Sequence, residues 1–435
     1  MIKVLVISYH YLPDNIIAAR RSEAYAKHFH KFGIFPTIVT DLYEGIFDAT
    51  GNRTGYKYHT KETRPVTENF DTHKVIRIPR VVTSLQKLQF SFEKIAGISS
   101  IFTMLMNLGG HFDMHLLGHY LNYRNFLIKY LKKNKYDLIL AIDSPHYHIK
   151  LAKFLHQKTG IPYVCDFRDL PNNQMLSSNN SLSIKDKINL NLYVLYLKKW
   201  LRKCIFISST SQIWADYYGK IGKNNAYEIT NGFEEEIIFN ANQNSNLFTI
   251  MHTGRLYSNQ DWSIIAKGIR KFKEQANPKN FQVVFAGIRI DAQSIIKKIK
   301  VEIPDNIVTY GWLTKNEIVR LQNNCHIFIL SSWNGYIGVY SGKIFEYLGA
   351  RKPILFAPGD YGDVIDQLLI RTKAGVCAYT PDEVCNYITK KYTEWLKTGE
   401  IKYEGIEAEI IKYSRENQVR KMANLIHKVI TPIRK

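Results

Sequence analysis

The chain has 435 residues, 45% hydrophobic and 22% charged, which is enough for two domains with ordinary cores and excludes a largely disordered chain. Its net charge is +21. By sequence count it divides as about +14 over residues 1–230 and about +7 over 231–435, a balance that suits anionic partners such as nucleic acid, anionic lipid or phosphorylated substrates.

The opening run MIKVLVISYHYLP has one lysine and no small-residue cleavage site, so it reads as a first strand and not as a signal peptide. Ile2–Ser8 is that strand, Tyr9–Asn15 a loop, and Ala18 to Phe32 a helix stopped by Gly33. Pro36–Thr40 follows as a strand, which makes a βαβ beginning and predicts an open parallel sheet. Residues 44–72 lack periodicity, and Lys74–Ile78 reads as a strand. Residues 82–134 read as a helical insertion mixing Phe, Leu and Met with Lys and His. Its most apolar stretch, Ile95–Leu108, is shorter than the ~18–20 residues a bilayer span requires. Strands at Asp137–Ile142, Ile161–Asp166 and Cys204–Ser208 alternate with helices to about Gly160, over roughly 183–203 and over Ser209–Gly219.

The alternation then restarts, with a boundary near Asn231-Gly232. Strands are expected at Phe248–Thr253, Phe281–Ala286, Ile307–Tyr310, Ile327–Leu330, Pro353–Ala357 and Val376–Tyr379. Helices are expected at 261–274, 291–301, 314–323, near 361–371 and, last, from about 404 to 431. The five cysteines, Cys165, Cys204, Cys325, Cys377 and Cys385, form no Cys-x-x-Cys pair, and most lie in apolar runs. They read as reduced, buried thiols of a cytosolic protein, with no zinc spacing.

No Gly-x-x-x-x-Gly-Lys-Ser/Thr loop is present, and no Gly-x-Gly-x-x-Gly follows the first strand, so a P-loop nucleotidase and a dinucleotide-binding dehydrogenase are both disfavoured. A looser phosphate site remains. Gly335–Gly342 is a glycine-spaced loop running into a helix start, where free N–H groups and the helix dipole favour an anion, and Lys343 adds charge. Glu346 is read as a first-turn acid. Its plain reading is a favourable helix-end charge.

Five segments, in order, resemble the glycosyltransferase family 4-like enzymes of GT-B architecture, in the branch with an Asp-Phe-Arg-Asp signature. They are "YHYLPDNIIAARRSEAYAKHF", "IPYVCDFRDLP", "ITNGFEEEIIF", "MHTGRLYSNQDWSIIAKGI" and "SGKIFEYLGARKPIL", and "IKYSRENQVRKMANLI" looks like that family's closing helix. The resemblance covers nearly the whole chain outside 44–135. It implies two doubly wound Rossmann-like domains facing a cleft. The first, 1–230, would bind the acceptor and carry the 82–134 insertion. The second, 231–403, would bind the nucleotide sugar, and 404–435 would return to the first.

The resemblance implies retaining, metal-independent transfer from a nucleoside diphosphate sugar, a UDP-sugar first, with no cofactor. The acceptor would be a hydroxyl of a glycan, lipid-linked, in surface polysaccharide biosynthesis. It assigns Glu346 to the ribose hydroxyls, a task suited to an acceptor-only, bidentate carboxylate. Ser341, Gly342, Lys343, Gly338, Gly254 and Arg255 would line the diphosphate and sugar, and Asn15, Arg20 and Arg21 an acceptor or phosphate loop. Asp166 or Asp169 is expected to orient Arg168 or an acceptor hydroxyl, with His148 and, less so, His146 beside them. The plain reading of Asp166 is a buried structural Asp–Arg pair.

Three positions depart from the family. Gly338 stands where many members have a first glutamate, Gln260 where many have a lysine, and Asn15-Ile16-Ile17 replaces paired glycines. Gly338 and Gln260 favour a rival, a non-catalytic subunit that binds sugar nucleotide. Another GT-B enzyme, such as a sugar-nucleotide epimerase or a phosphorylase, is a second rival. A peripheral contact with the inner membrane face agrees with the charge asymmetry, its plain alternative being a helical subdomain packed on the first sheet. No nucleic-acid module is visible, so nucleic acid is not expected as a partner.

Overall fold

The computed structural model describes residues 1–14, 16–42, 62–80, 98–112, 117–170, 183–235, 246–289, 292–333 and 335–434, with 84, 87 and 91 besides. Among these the chain divides into two compact units, one of residues up to Thr230 together with Gln418 onward, the other of Asn231–Asn417.

The first unit is built on β1 (Ile2–Ile7), β2 (Ile34–Asp41), β3 (Val66–Asn69), β4 (Lys74–Ile78), β5 (Leu138–Asp143), β6 (Tyr163–Phe167), β7 (Phe206–Ser209) and β8 (Asn225–Glu228). They form one sheet in the order β3-β4-β2-β1-β5-β6-β7-β8, parallel except where edge strand β3 pairs antiparallel with β4. Strand β1 is buried everywhere but Lys3, as the near-continuous apolar run of a two-sided parallel strand requires. It pairs with β2 on one side, Val4 opposite Pro36, and with β5 on the other, Val4 opposite Leu138. The chain therefore winds in opposite directions from β1, and its carboxyl end beside that of β5 is a topological switch point.

The helices of this unit are α1 (Ala19–His28), α2 (Ile98–Leu108), α3 (Leu117–Lys133), α4 (Tyr147–Thr159), α5 (Ile184–Leu201) and α6 (Gln212–Gly222). The core joins Val4, Val6, Phe29, Leu138 and Val164 to Val419, Met422 and Ile426 near the chain's end.

The second unit has a six-stranded, all-parallel sheet. Its strands are β9 (Phe248–Thr253), β10 (Phe281–Ala286), β11 (Ile307–Tyr310), β12 (Ile327–Leu330), β13 (Ile354–Phe356) and β14 (Gly375–Cys377), in the order β11-β10-β9-β12-β13-β14. Its helices are α7 (Ser263–Ala276), α8 (Gln293–Glu302), α9 (Lys315–Asn323), α10 (Gly342–Gly349), α11 (Val364–Thr372), α12 (Pro381–Thr398) and α13 (Glu407–Ile410). Successive strand residues serve opposite faces. Ile327 and Ile329 pack with α7, α8 and α12, whereas Phe328 and Leu330 pack with α10 and α11.

Most elements lie where the apolar pattern puts them. The expected final helix over 404–431 is broken into α13, a 3₁₀ turn at Ile411–Tyr413 and α14 (Arg415–Arg434). The cause is Ser414, which turns extended (ψ 152°) and pairs with Phe233. Helix α12, absent from the elements expected of the sequence, begins with a capping box between Thr380 and Glu383 and Pro381 in its first turn. Strands β3 and β8 were also not anticipated, being short and polar. Of the expected 82–134 insertion, α2 and α3 are described, and 82–83, 85–86, 88–90, 92–97 and 113–116 lie outside the described residues.

Helix α7 meets α12 at Gly268. A Cβ there would lie 2.4 Å from Val384 Cγ1 and 2.9 Å from the Pro381 carbonyl oxygen, which is backbone and cannot swing aside. Gly268→Ala is therefore expected to cost about 1–3 kcal/mol, read as a lower urea midpoint at unchanged slope.

Candidate functional site

In the second unit, β9 and β10 both end in a glycine in the left-handed region, Gly254 (φ +85°) and Gly287 (φ +80°). The two strand ends touch there, since a Cβ on Gly287 would sit 3.2 Å from Gly254 Cα. A Cβ on Gly254 would lie 2.7 Å from Lys343 Cε, so this glycine leaves the space the lysine stem fills.

Lys343 is the second residue of α10. Its Nζ donates to the Arg255 carbonyl at 3.3 Å and lies 5.8 Å from the Tyr257 ring centroid. The Arg255 guanidinium lies 5.0 Å from the same ring. Two cations thus flank one tyrosine at the carboxyl end of β9. Burial pushes the Lys343 ammonium below the ordinary lysine range, with Glu346 pulling it back. The start of α10 has no side-chain cap, so its first N–H groups add to the same positive potential.

Tyr347 explains how helix and strand keep register. It is buried, stacks on Phe328 at 4.1 Å, and its hydroxyl accepts the Thr253 N–H at 2.9 Å, one residue before Gly254. Glu346, its neighbour, is left exposed. Glu346 is not a first-turn acid. Ser341 is the N-cap, so Gly342 and Lys343 already belong to the helix and Glu346 lies in its second turn. The helix-end account of this acid loses its geometric basis.

Gln260 is buried, not a charge at the site. Its amide donates to the Ser331 carbonyl at 3.1 Å and accepts from the Tyr257 N–H at 3.2 Å, tying the loop after β9 to the loop after β12. Gly338 (φ +77°) gives its N–H to Asp363 at 2.9 Å, so what it supplies is a turn and not an open donor. Burial raises the Asp363 carboxyl, opposed by the N–H groups of Gly338 and Val364.

In the first unit, the switch point carries two His–Asp pairs. His10, just beyond β1, lies 2.8 Å from Asp14, which is fully buried. The Ser8 and Ser22 hydroxyls both donate to the His10 carbonyl, at 2.8 and 2.5 Å, fixing its backbone. His146 lies 2.9 Å from Asp143, the last residue of β5, and 3.2 Å from the Tyr193 hydroxyl. A carboxylate on Nδ1 sets the tautomer and leaves Nε2 able to accept a proton. His10 and Asp14 went unnoticed in the sequence because they sit in an irregular loop. Only its place after the first strand of a parallel sheet marks that loop.

No protein-family model matches this sequence. No curated protein matches it either. Solved structures do. A glycosyltransferase from Rickettsia africae ESF-5 is 13% identical over 99% of this chain and 98% of its own, with a TM-score of 0.58. Anabaena HepE in complex with UDP is 12% identical over 99% and 100%, TM-score 0.58. The lipopolysaccharide outer core galactosyltransferase WaaB is 12% identical over 98% and 99%, TM-score 0.55. The fold is GT-B. At such identities the likeness is one of architecture and assigns no residue.

Within this GT-B chain, the second unit brings Gly254, Arg255, Ser341, Gly342 and Lys343 together, with Glu346 one turn beyond. The first unit treats its expected residues differently. Asp166 does not orient Arg168. It is fully buried and takes Arg21 Nε and Nη2, each at 2.6 Å, with the hydroxyls of Tyr25 at 3.0 Å and Ser208 at 2.7 Å. Arg21 is spent on that pair and on the carbonyls of Ile229 and Thr230. Arg168 is half-buried, 3.6 Å from the exposed Asp169, and Arg20 pairs with Glu23 at 2.8 Å. His148 is fully buried with Nδ1 on the Ile142 carbonyl at 2.8 Å, which removes it from any solvent-facing role. Asn15 lies outside the described residues.

The Arg21–Asp166 pair is expected to be structural. Arg21→Met or Asp166→Asn alone should each cost about 3–5 kcal/mol by stranding a buried charge, and the double substitution less than their sum. Urea unfolding of the three variants measures this. Burial pushes His148 down to about 4, so it folds neutral, while the unfolded chain takes up its proton near 6.5. The unfolded state then binds more protons in that window. The histidine's contribution is full above about 6.5 and is lost as pH falls toward about 4, amounting to about 3 kcal/mol. Stability measured from pH 7 to 4.5 should fall less steeply in His148→Asn than in the wild type.

Proposed function

We propose that this protein is a glycosyltransferase. It moves a sugar from a nucleoside diphosphate sugar, a UDP-sugar first, to a hydroxyl of a glycan acceptor in surface polysaccharide biosynthesis. The observation that carries the reading is the Arg255–Tyr257–Lys343 arrangement at the carboxyl end of β9, with Glu346 exposed one turn further along α10.

That arrangement suits a nucleoside diphosphate. Arg255, Lys343 and the uncapped helix start meet the diphosphate charge, and Glu346 accepts two ribose hydroxyls. The same fixed charges stabilise the diphosphate as it leaves, which is the largest electrostatic demand of glycosyl transfer and here needs no metal. Retention at the anomeric carbon is what the family resemblance implies. The fold supports the class, since HepE was solved with UDP and WaaB is a galactosyltransferase of the lipopolysaccharide outer core. A lipid-linked acceptor would bring the chain to the inner face of the membrane. No described helix is long and apolar enough to cross one.

A second reading, a non-catalytic subunit that binds sugar nucleotide, is favoured by two features of the second unit. The Gly338 N–H is committed to Asp363, and Gln260 is a buried tie. The two readings separate by turnover in the presence of membrane extract, which only the enzyme shows.

Calorimetric titration with UDP, GDP, ADP and CMP is the test of the site. One diphosphate should bind at micromolar strength, and Glu346→Ala and Lys343→Ala should each weaken it by about 1–3 kcal/mol, as for lost charged hydrogen bonds. No binding by any nucleotide, or an unchanged affinity in both variants, overturns the donor-site reading.

A further inference from the structure

In the six-stranded sheet the chain leaves β9 toward β10 and β11, then returns on the other side at β12. The switch point therefore lies between the carboxyl ends of β9 and β12. Hydrogen bonds join the loops that follow these two strands. The Gln260 amide reaches the Ser331 carbonyl, Gln260 forms an antiparallel bridge with Trp333, and the Ser331 hydroxyl donates to the Asp261 carbonyl at 2.9 Å.

Three aromatic rings stand on these tied loops. The Tyr257 and Trp333 centroids are 4.6 Å apart with the rings tilted by 42°, and Trp333 lies 6.3 Å from Tyr336 at 73°. Gly335 (φ +74°) turns the chain, and the Tyr336 N–H donates to the Trp333 carbonyl at 3.1 Å, which folds the third ring back toward the second. All three residues are half-buried, and Ile337 beside them is 48% exposed. Loops already joined by hydrogen bonds do not need large rings left partly open to water. Such rings at a switch point, beside fixed charge, are the ordinary lining of a small-molecule site. The row begins at the cations, since Arg255 and Lys343 both lie against Tyr257.

We propose that Trp333 and Tyr336 hold the transferred sugar of the donor, stacking on the C–H face of its pyranose ring. The inference rests on the donor reading above and adds to it a subsite for the sugar. A nucleoside diphosphate sugar carries a ring system at each end of its diphosphate. Under that reading Glu346, one turn beyond Lys343 along α10, takes the ribose end. The aromatic row lies in the loops that come before α10, so the ring it meets is the one at the other end. Gly338 brings no side chain to the same loop and its N–H is held by Asp363. Ring faces, and not a carboxylate at position 338, are then what this loop offers a sugar. The negative π-face suits the weakly positive C–H groups of a pyranose.

Stacking tolerates which hydroxyls a ring carries, so ordinary sugar nucleotides serve as probes. The full chain is titrated by calorimetry with UDP-glucose, UDP-galactose and UDP-N-acetylglucosamine, each against UDP. At least one of them should bind about fivefold or more tighter than UDP. Trp333→Ala should erase that difference, Tyr336→Ala should reduce it, and Trp333→Phe should restore most of it. In all three variants the affinity for UDP should stay within about twofold of the wild type. If the first titration selects GDP, GDP-mannose against GDP replaces the UDP series.

An unchanged thermal midpoint shows that the loops stay folded. Should Trp333→Ala lower it, Trp333→Phe and Tyr336→Ala carry the test. Binding of the diphosphate with no gain from any sugar overturns the proposal and leaves the donor reading standing. So does a gain that survives in both Trp333→Ala and Tyr336→Ala. An equal loss for the diphosphate and its sugar esters assigns the rings to the nucleobase, which also overturns it. If no nucleotide binds, the donor reading fails and the sugar subsite falls with it.

Discussion

A buried ion pair organises the first unit. Arg21 rises from α1, Asp166 sits on β6, and Ser208 on β7 completes the carboxylate's shell. The same guanidinium holds the carbonyls of Ile229 and Thr230, the last residues before the chain leaves this unit. The Thr230 N–H in turn donates to Gln418 at 2.9 Å, the first residue on the chain's return. One cation therefore fixes a helix, two strands and both ends of the crossing. An isolated charge at that depth is costly, so the pair is intelligible as a closed set in which both carboxylate oxygens and all three guanidinium nitrogens have partners.

The second unit solves a different problem, which is to gather positive charge without self-quenching. Parallel strands deliver their carboxyl ends to one edge, and the two left-handed glycines let those ends pack closely enough for a lysine stem to pass. Tyr347 then locks α10 to β9 through a single hydroxyl. The placement of Lys343 beside Arg255 is thus set by backbone geometry together with the bond that Nζ donates to the Arg255 carbonyl. The Tyr257 ring between them accepts both cations on its π-face.

Much of this was legible beforehand. Strands β9, β10, β11 and β12 fall at the residues expected of them; β9 and β12 are buried throughout, as central parallel strands are, whereas edge strand β11 leaves Thr309 and Tyr310 exposed. The helix carrying Lys343 and Glu346 shows in its own apolar spacing, Ile344, Phe345, Tyr347 and Leu348, all of them buried. What could not be read was partnership. Nothing in the spacing of Arg21 and Asp166, 145 residues apart, distinguishes a buried pair from two residues awaiting a ligand. His148 looked like a site residue because it follows a strand end, yet one turn of helix carries it beneath the surface, while His10 in the irregular loop faces outward in part. Glu346 was placed one turn too early because the helix start is set by the extended backbone of Ser341, which leaves no trace in the side-chain pattern.

The bond from Gly338 to Asp363 bears on how the loop before α10 would meet an anion. Asp363 is an internal stand-in, a carboxylate of this chain resting on the N–H that an incoming phosphate oxygen would seek. It begins α11 and lies beside Asp360, whose carboxyl burial raises to about 6, and Asp366. A ligand that claims that N–H must evict a group already holding it, so the gross strength of the new bond is discounted by that of the old one. The loop is thereby kept in shape by its own chain, and under the proposed donor reading a weak anion would not win that exchange.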